Sequence, residues 1–259
     1  MNIFEFHKKD KNVFFNLNVL YMNTIENKTV AEVVAENIKT AHIFKKHGID
    51  FCCGGGITIE KACKKKQLVY EQVKAELLQV DDAPKAYDYN SWNLDFLIDH
   101  IINVHHTYVE ESIPLILQYS NRVEEVHGHH YSEVIKINKL FTEVANELTA
   151  HLKKEELILF PYIKKLIKLK VQETAPPTPP FGTVNNPIQM METEHESAGD
   201  IFKVIAQITN NYTPPEGACN TFKALYAKLD EFEQDLHQHI HLENNILHPK
   251  AIQLEKSYK

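Results

Sequence analysis

The sequence predicts an all-α protein in which a bundle of four long helices follows a small helical domain. Apolar residues recur at helical spacing over four long stretches, and no stretch alternates convincingly as a strand would. Eight glycines and 11 prolines among 259 residues are too few for an all-β or a disordered chain. Hydrophobic residues make up 43% of the chain, which is enough for a sizeable core. Four long amphipathic helices favour a four-helix bundle.

Caps and turns divide the chain into four parts. Thr29 and Glu32 have the spacing of a capping box, which opens a helix that Gly48 is placed to end. Thr58 can cap a second short helix, and a third should follow it. We expect an N-terminal extension, a small helical domain with adjacent cysteines, a linker and the bundle, at residues 1–28, 29–80, 81–90 and 91–259.

Serine and proline residues mark the starts of the predicted bundle helices. Ser91 and Ser132 can cap the first and the second, and Pro187 suits the first turn of the third. Pro114 should bend the first helix, and the second is expected to continue past Pro161. A proline-rich connection follows the second helix. The four helices are predicted at about 91–118, 132–170, 187–211 and 218–253.

One segment of the bundle occurs twice, as Leu-x-x-His-x-x-x-Glu-x-x-Ile-Leu-x-Pro in the second and fourth helices. Its His and Glu are His151 and Glu155 in the first copy, and His239 and Glu243 in the second. A spacing of four places the two side chains on one face of a helix, one turn apart. Both pairs fall within the apolar stripe of their helix, so all four side chains should point into the bundle.

Buried carboxylates need a partner, and the apolar stripes of the four helices contain no Arg or Lys. A divalent metal is the simplest partner. The third helix adds His195 in phase, and the first adds His105 or His106, which periodicity does not separate, although His105 is slightly better centred. Four imidazoles and two carboxylates exceed a tetrahedral zinc site. They favour two non-haem iron ions bridged by the carboxylates, with coordination positions left open.

Composition restricts the partners and the compartment. The net charge is −7 with 15 histidines counted as neutral, and no basic stripe is evident, so a nucleic-acid partner is not expected. No run approaches the ~18 apolar residues of a membrane helix, and the charged N-terminal residues do not form a signal-peptide pattern. Four cysteines are few for a secreted disulfide scaffold, which favours a reducing, cytoplasmic setting.

Cys52 and Cys53 precede three glycines in the small domain. Two interpretations are open. The cysteines can be small buried residues at a tight turn, or they can be reactive or metal-handling thiols. In the second interpretation, the glycines free backbone N–H groups that could stabilise a thiolate.

The duplicated His-x-x-x-Glu segments resemble the hemerythrin-like superfamily, whereas ferritin-like bundles use Glu-x-x-His. Hemerythrin has a further His one turn after the third-helix ligand, where this chain has Gly199, so the oxygen-carrier pattern is broken. The repair-of-iron-centres family, the iron–sulfur cluster repair di-iron proteins, is a closer match from about Thr29 to Pro249. The matching stretches are Phe44-Lys-Lys-His-Gly-Ile-Asp-Phe-Cys-Cys-Gly-Gly55, Asp99-His-Ile-Ile-Asn-Val-His-His106, Glu155-Glu-Leu-Ile-Leu-Phe-Pro161, Met191-Glu-Thr-Glu-His-Glu-Ser-Ala-Gly199, Asn210-Asn-Tyr-Thr-Pro-Pro215 and His241-Leu-Glu-Asn-Asn-Ile-Leu247.

This resemblance implies a hemerythrin-like bundle and selects His106 over His105. The iron ligands it implies are His106, His151, Glu155, His195, His239 and Glu243. It also implies a function in restoring iron–sulfur clusters damaged by nitric oxide or peroxide, with the damaged proteins as clients. Two alternatives are a di-iron enzyme that reduces nitric oxide and a protein that binds or senses oxygen or nitric oxide. Whether the chain is an enzyme stays open, and a homodimer is compatible with its small N-terminal domain.

Overall fold

A computed structural model of the chain describes residues 25–80 and 87–258. The chain splits into two compact units, Met1–Asn90 and Ser91–Lys259. The described residues form helices and turns without a strand, and a single isolated bridge joins Thr29 and Thr58. The predicted all-α fold class is confirmed. Most of the expected extension, residues 1–24, and most of the expected linker, residues 81–86, lie outside the described residues.

The first unit begins with the predicted capping box. The backbone N–H of Thr29 donates to Glu32 Oε2 at 2.7 Å, and that of Glu32 donates to Thr29 Oγ1 at 3.2 Å. The expected single helix is in fact divided, because Asn37 adopts an extended conformation and its side chain accepts from Lys39 N. Helix α1 (Val30–Glu36), a 3₁₀ turn (Ile38–Thr40) and α2 (Ala41–Lys46) therefore follow one another.

Two more helices complete the first unit. Helix α3 (Ile59–Lys65) begins at Thr58, whose hydroxyl accepts from Lys61 N at 3.4 Å as predicted. Helix α4 (Tyr70–Gln79) follows after a short turn. Apolar side chains from all four helices form the core of the unit, which includes Val30, Val33, Phe44, Ile59, Val73 and Leu77.

Four long runs of helix form the second unit. The first bundle helix is α5 (Leu94–His100), a π-helical segment (Ile101–His106) and α6 (Thr107–His127). The second is α7 (Ser132–Lys154), a π segment (Glu155–Leu159) and α8 (Phe160–Val171). The third is α9 (Asn185–Ile208). The fourth is α10 (Asn220–Leu242), a π segment (Glu243–Leu247) and α11 (His248–Lys256).

Each bundle helix packs against its two neighbours, so the four close into a ring, and α8 and α11, the last parts of the second and fourth helices, also pack against each other. The first helix ends nine residues later than predicted, at His127, because buried Ser120 and Val123 continue its apolar face. Ser132 is the first residue of α7 rather than its cap. Within the described residues, none of the helices combines the length and apolar character needed to cross a bilayer.

The duplicated segment produces the same local structure in both copies. Proline has no N–H and collides with the carbonyl four residues earlier, so an α-helix cannot pass through it undisturbed. In both copies the helix widens into a π segment for five residues and resumes just before Pro161 or Pro249. The widened turns begin at Glu155 and Glu243. Prolines in the repeat therefore mark π segments at the two glutamates.

Aromatic side chains fill the bundle core beyond these turns. Phe141, Phe202 and Phe232 come from the second, third and fourth helices and are fully buried. Phe232 meets Phe141 edge-on at 5.7 Å between ring centroids and stacks on Phe202 at 5.6 Å. Such ring pairs add to the stability that burial itself provides. The cluster packs the second, third and fourth bundle helices against one another, and these helices carry most of the polar residues described next.

Candidate metal centre

Six polar side chains meet in the bundle interior, and they are the six that the sequence predicts as metal ligands. They form two overlapping groups, in each of which one ligand atom per residue lies within 4.8 Å of the others. Each of the six is at most 2% exposed. The first group is His106, Glu155, His239 and Glu243, and the second is His151, Glu155, His195 and Glu243.

Both glutamates belong to both groups. Glu155 Oε2 lies 3.4 Å from His106 Nε2 and 3.3 Å from His151 Nε2. Glu243 places Oε1 3.1 Å from His239 Nε2 and Oε2 3.2 Å from His195 Nε2. The two oxygens of Glu243 thus face different groups, Oε1 the first and Oε2 the second.

The donor atoms fit a bound metal. Glu155 Oε1 and Oε2, Glu243 Oε2 and His106 Nε2 are buried and have no hydrogen-bond partner among the described residues. Leaving such atoms unsatisfied is costly, and no Lys or Arg in the described chain pairs with either carboxylate. Four imidazole nitrogens and two carboxylates form a donor set typical of borderline divalent metals.

Without a metal, the acids and imidazoles neutralise one another. Burial opposes a charge on His106, but attraction to the nearby carboxylates of Glu155 and Glu243 raises its pKa to about 10. Burial likewise opposes a charge on His151, whose pKa is raised to about 9 mainly by Glu155. Burial and Glu243 oppose ionisation of Glu155, yet His151 and His106 lower its pKa to about 2. Metal binding therefore has to displace protons from imidazoles.

Three residues outside the six hold the ligand imidazoles from behind. His106 donates from Nδ1 to Glu156, His151 donates from Nδ1 to Glu194, and His195 donates from Nδ1 to Asn244, each at 2.8 Å. A bond from Nδ1–H fixes the orientation of the ring and leaves Nε2 facing the interior of its group. Sequence reasoning missed all three. Their adjacency to Glu155, His195 and Glu243 was the only signal in the sequence.

Three further histidines lie close to the two groups. His105, which periodicity favoured slightly, is buried but belongs to neither group, and it donates from Nδ1 to Asp235 Oδ1 at 3.0 Å. His241, two residues after His239, is fully buried. Helix α5 packs against the π segment Glu243–Leu247 and so covers this end of the fourth helix. His248 is also fully buried, parallel to the His195 ring at 6.2 Å.

The surroundings of Gly199 and Tyr162 bear on whether a further ligand could bind at the centre. Gly199, one turn after His195, is buried, and a Cβ added there would meet no heavy atom within 4 Å. Open space therefore exists where hemerythrin has its additional histidine. Tyr162, near the start of α8, donates its hydroxyl hydrogen to Glu255 Oε1 at 2.8 Å and is therefore not available as a donor to a ligand in this arrangement.

The adjacent cysteines of the first unit lie around one carboxylate. Asp50 Oδ1 accepts from the backbone N–H of Cys52 at 3.0 Å and of Cys53 at 3.1 Å, and from Cys52 Sγ at 3.2 Å. A hydrogen bond with Cys53, burial and the charge of Asp50 raise the pKa of Cys52 well above its ordinary value. The surroundings of Cys52 therefore disfavour the thiolate considered above, because the carboxylate of Asp50 lies beside the thiol and accepts the N–H groups of both cysteines.

Comparisons with known proteins place both units in families. Residues 26–81 match a domain of unknown function (DUF542, ScdA_N), and residues 97–251, more than half of the chain, match the hemerythrin HHE cation binding domain. A Citrobacter koseri protein named iron-sulfur cluster repair protein YtfE is 35% identical over 88% of this chain and 98% of its own length.

Proteins of the same name from other bacteria give the same result. One from an Enterobacter species is 36% identical over 86% of this chain and 96% of its own length. Another from Escherichia coli is 37% identical over 83% of this chain and 91% of its own length. The motifs, the fold and these identities agree. The chain therefore belongs to the iron–sulfur cluster repair family of hemerythrin-like proteins, as its motifs led us to expect.

Proposed function

We propose that this chain is a di-iron protein that repairs iron–sulfur clusters damaged by oxidative or nitrosative stress, by supplying iron or its redox chemistry. The observation that carries the proposal is the pair of buried groups that share Glu155 and Glu243. It occurs in a chain whose similar proteins are named for cluster repair. The clients of such a protein are damaged iron–sulfur proteins.

The proposed centre has two positions. Position 1 is defined by His106 and His239, and position 2 by His151 and His195, while Glu155 and Glu243 serve both. Imidazoles with carboxylates suit iron better than magnesium or calcium, which prefer oxygen ligands alone. When bound, iron supplies a one-electron couple and open coordination positions. The protein contributes a buried interior, towards which the Nε2 atoms of the four histidines are directed.

The first unit carries two cysteines whose chemistry suits the transfer of iron to a client. Cys53 is partly exposed and Cys52 is buried beside it, and neither forms a disulfide with another described cysteine. Cysteine sulfur is a soft ligand of the kind that binds iron in iron–sulfur clusters. We therefore assign Cys52 and Cys53 to iron handover or to docking on a client. Cysteines that form no disulfide are compatible with a cytoplasmic location, and self-association as a homodimer would present two such cysteine pairs.

Removal of the shared carboxylates tests the proposal. We expect about two irons per wild-type chain by metal analysis, and loss of most of them in the double variant Glu155→Ala/Glu243→Ala. The matched control replaces exposed acids on the same two helices, Glu143→Ala/Glu231→Ala, and should keep both irons.

A repair assay extends this test to function. A dehydratase whose [4Fe–4S] cluster has been damaged by nitric oxide should regain activity with the iron-loaded wild type and with the control. It should not regain activity with the carboxylate double variant. Full iron content in that variant would refute the site assignment, and equal repair by it would refute the role of the centre in repair.

A second function is favoured by the space beside Gly199. A diatomic ligand could occupy it next to position 2, as in a nitric oxide reductase that converts two NO, two electrons and two protons to N₂O and water. Repeated turnover with an excess of an external reductant would support this enzyme activity. A single stoichiometric reaction without cycling would argue for repair alone.

A further inference from the structure

We propose that the two positions are unequal, and that the ion at position 1 is the one released to a client while position 2 retains its ion. This inference rests on the proposed di-iron function and adds to it which ion is transferred. It follows from the Nδ1 atoms of the four imidazoles that we assign as ligands. Three of these atoms donate a hydrogen bond to a neighbouring side chain, and the fourth, in His239, has no acceptor among the described residues.

Position 2 has both imidazoles fixed from behind. His151 donates from Nδ1 to Glu194 Oε2, and His195 donates from Nδ1 to Asn244 Oδ1, both at 2.8 Å. Glu194 is itself held by an ion pair with Lys154. Each bond fixes the ring and makes Nε2 a stronger donor to a metal.

Position 1 has only one imidazole fixed in this way. His106 donates from Nδ1 to Glu156 Oε1 at 2.8 Å, but the buried Nδ1 of His239 has no acceptor among the described residues. The His239 ring is therefore free of the directional restraint that the other three share. Loss of an outer partner of this kind typically weakens metal binding by about 10–100-fold.

Ring stacking does not remove the difference between the positions. His239 lies parallel to His105 at 5.5 Å, and His195 lies parallel to His248 at 6.2 Å. One ring at each position is thus stacked on a non-ligand histidine. Stacking restrains the plane of a ring but supplies no acceptor for Nδ1–H. The hydrogen-bond acceptor is what distinguishes His195 from His239.

Release of iron to a strong chelator under anaerobic, reducing conditions tests the inequality directly. From the full chain loaded with two irons, we expect two phases of equal amplitude whose rates differ by about 10–100-fold. His239→Ala should leave one iron that is released in the slow phase. His195→Ala should leave one iron that is released in the fast phase. These two variants assign the phases to the positions without reference to repair activity.

Asn244→Ala then tests the stated cause. Removal of the acceptor of His195 should speed the slow phase by about 10–100-fold and leave the fast phase unchanged. Asn245→Ala is the matched control, because Asn245 bonds at 3.1 Å to His241, a histidine outside both groups. It should change neither phase. Far-UV circular dichroism checks that each variant is folded before release is compared.

The outcomes separate the two levels of the proposal. A wild-type chain that binds two irons and releases them in one phase overturns the inequality and leaves the di-iron assignment standing. Acceleration of the fast phase by Asn244→Ala also overturns it. A folded wild-type chain that cannot hold two irons overturns the assignment of the centre, and the inference falls with it.

Discussion

Metal should stabilise the bundle strongly, and the double variant Glu155→Ala/Glu243→Ala should lose this stabilisation. In the metal-free bundle, three carboxylate oxygens and His106 Nε2 are buried without hydrogen-bond partners among the described residues. Such an atom costs about 1–3 kcal/mol, which for four atoms sums to about 4–12 kcal/mol before the attraction between the acids and the protonated imidazoles is subtracted, and bound metal relieves this cost. The variant removes the carboxylates on which both positions depend.

Mass action gives a second estimate of how much bound metal stabilises the folded state. A ligand at 100 times its Kd stabilises the folded state by about 2.7 kcal/mol, so two ions contribute about 5 kcal/mol. This value lies within the range obtained from the buried atoms. For a unit of 150–250 residues, 1 kcal/mol shifts Tm by about 2–4 °C, so we expect a rise of roughly 10–20 °C.

Anaerobic thermal unfolding, followed by circular dichroism with ferrous iron or with a chelator, measures this shift. The wild type and the exposed-acid control Glu143→Ala/Glu231→Ala should show the full rise, and the ligand variant should show none. A wild-type shift below about 2 °C would mean that metal relieves less than 1 kcal/mol, against the reasoning from buried atoms. An equal shift in the ligand variant would place the binding elsewhere.

Three further predictions concern the thiols and the packing of each unit. Because the pKa of Cys52 is raised, its thiol stays protonated at neutral pH, so peptide mass spectrometry should find it alkylated more slowly than Cys53 until the pH is well above neutral. Phe232→Ala should lower the free energy of unfolding by about 3–5 kcal/mol in denaturant titrations while iron content is retained. Gly55→Ala should destabilise the first unit by about 1–3 kcal/mol, because its Cβ would lie 2.4 Å from a backbone oxygen, whereas Gly56→Ala, with open space around it, should be neutral by thermal unfolding. Equal effects of the two glycine variants would contradict the packing argument.

The duplicated segment explains why so much of the centre was predictable. A regular helix precedes each of its glutamates, so a spacing of four residues correctly placed each His and Glu on the same inward face. His195 lies on an uninterrupted helix, where the same phase argument applies. For these five side chains, regular periodicity was sufficient to bring them to one interior.

The first bundle helix shows where periodicity fails. Its residues Ile101–His106 are π-helical, so the rotation per residue differs from that of an α-helix just where His105 and His106 occur. The direction of each side chain, calculated for a regular α-helix, is therefore in error by the end of this segment. This error is why periodicity favoured His105, whereas the structure brings His106 to the centre. The pattern did not predict the roles of Glu156, Glu194 and Asn244 for another reason. They lie beside the apolar stripe and face a neighbouring helix, and the distance between helices is not encoded in the pattern of one helix.

The ring of four helices also sets when this centre can come into existence. The proposed ligands extend from His106 to Glu243, and each of the two groups includes residues of the fourth bundle helix. The ribosome synthesises that helix after the other three. A nascent chain can fold its amino-terminal unit early, but neither group of side chains is complete before the fourth helix has been made. The proposed iron centre can therefore form only after all four bundle helices have been synthesised.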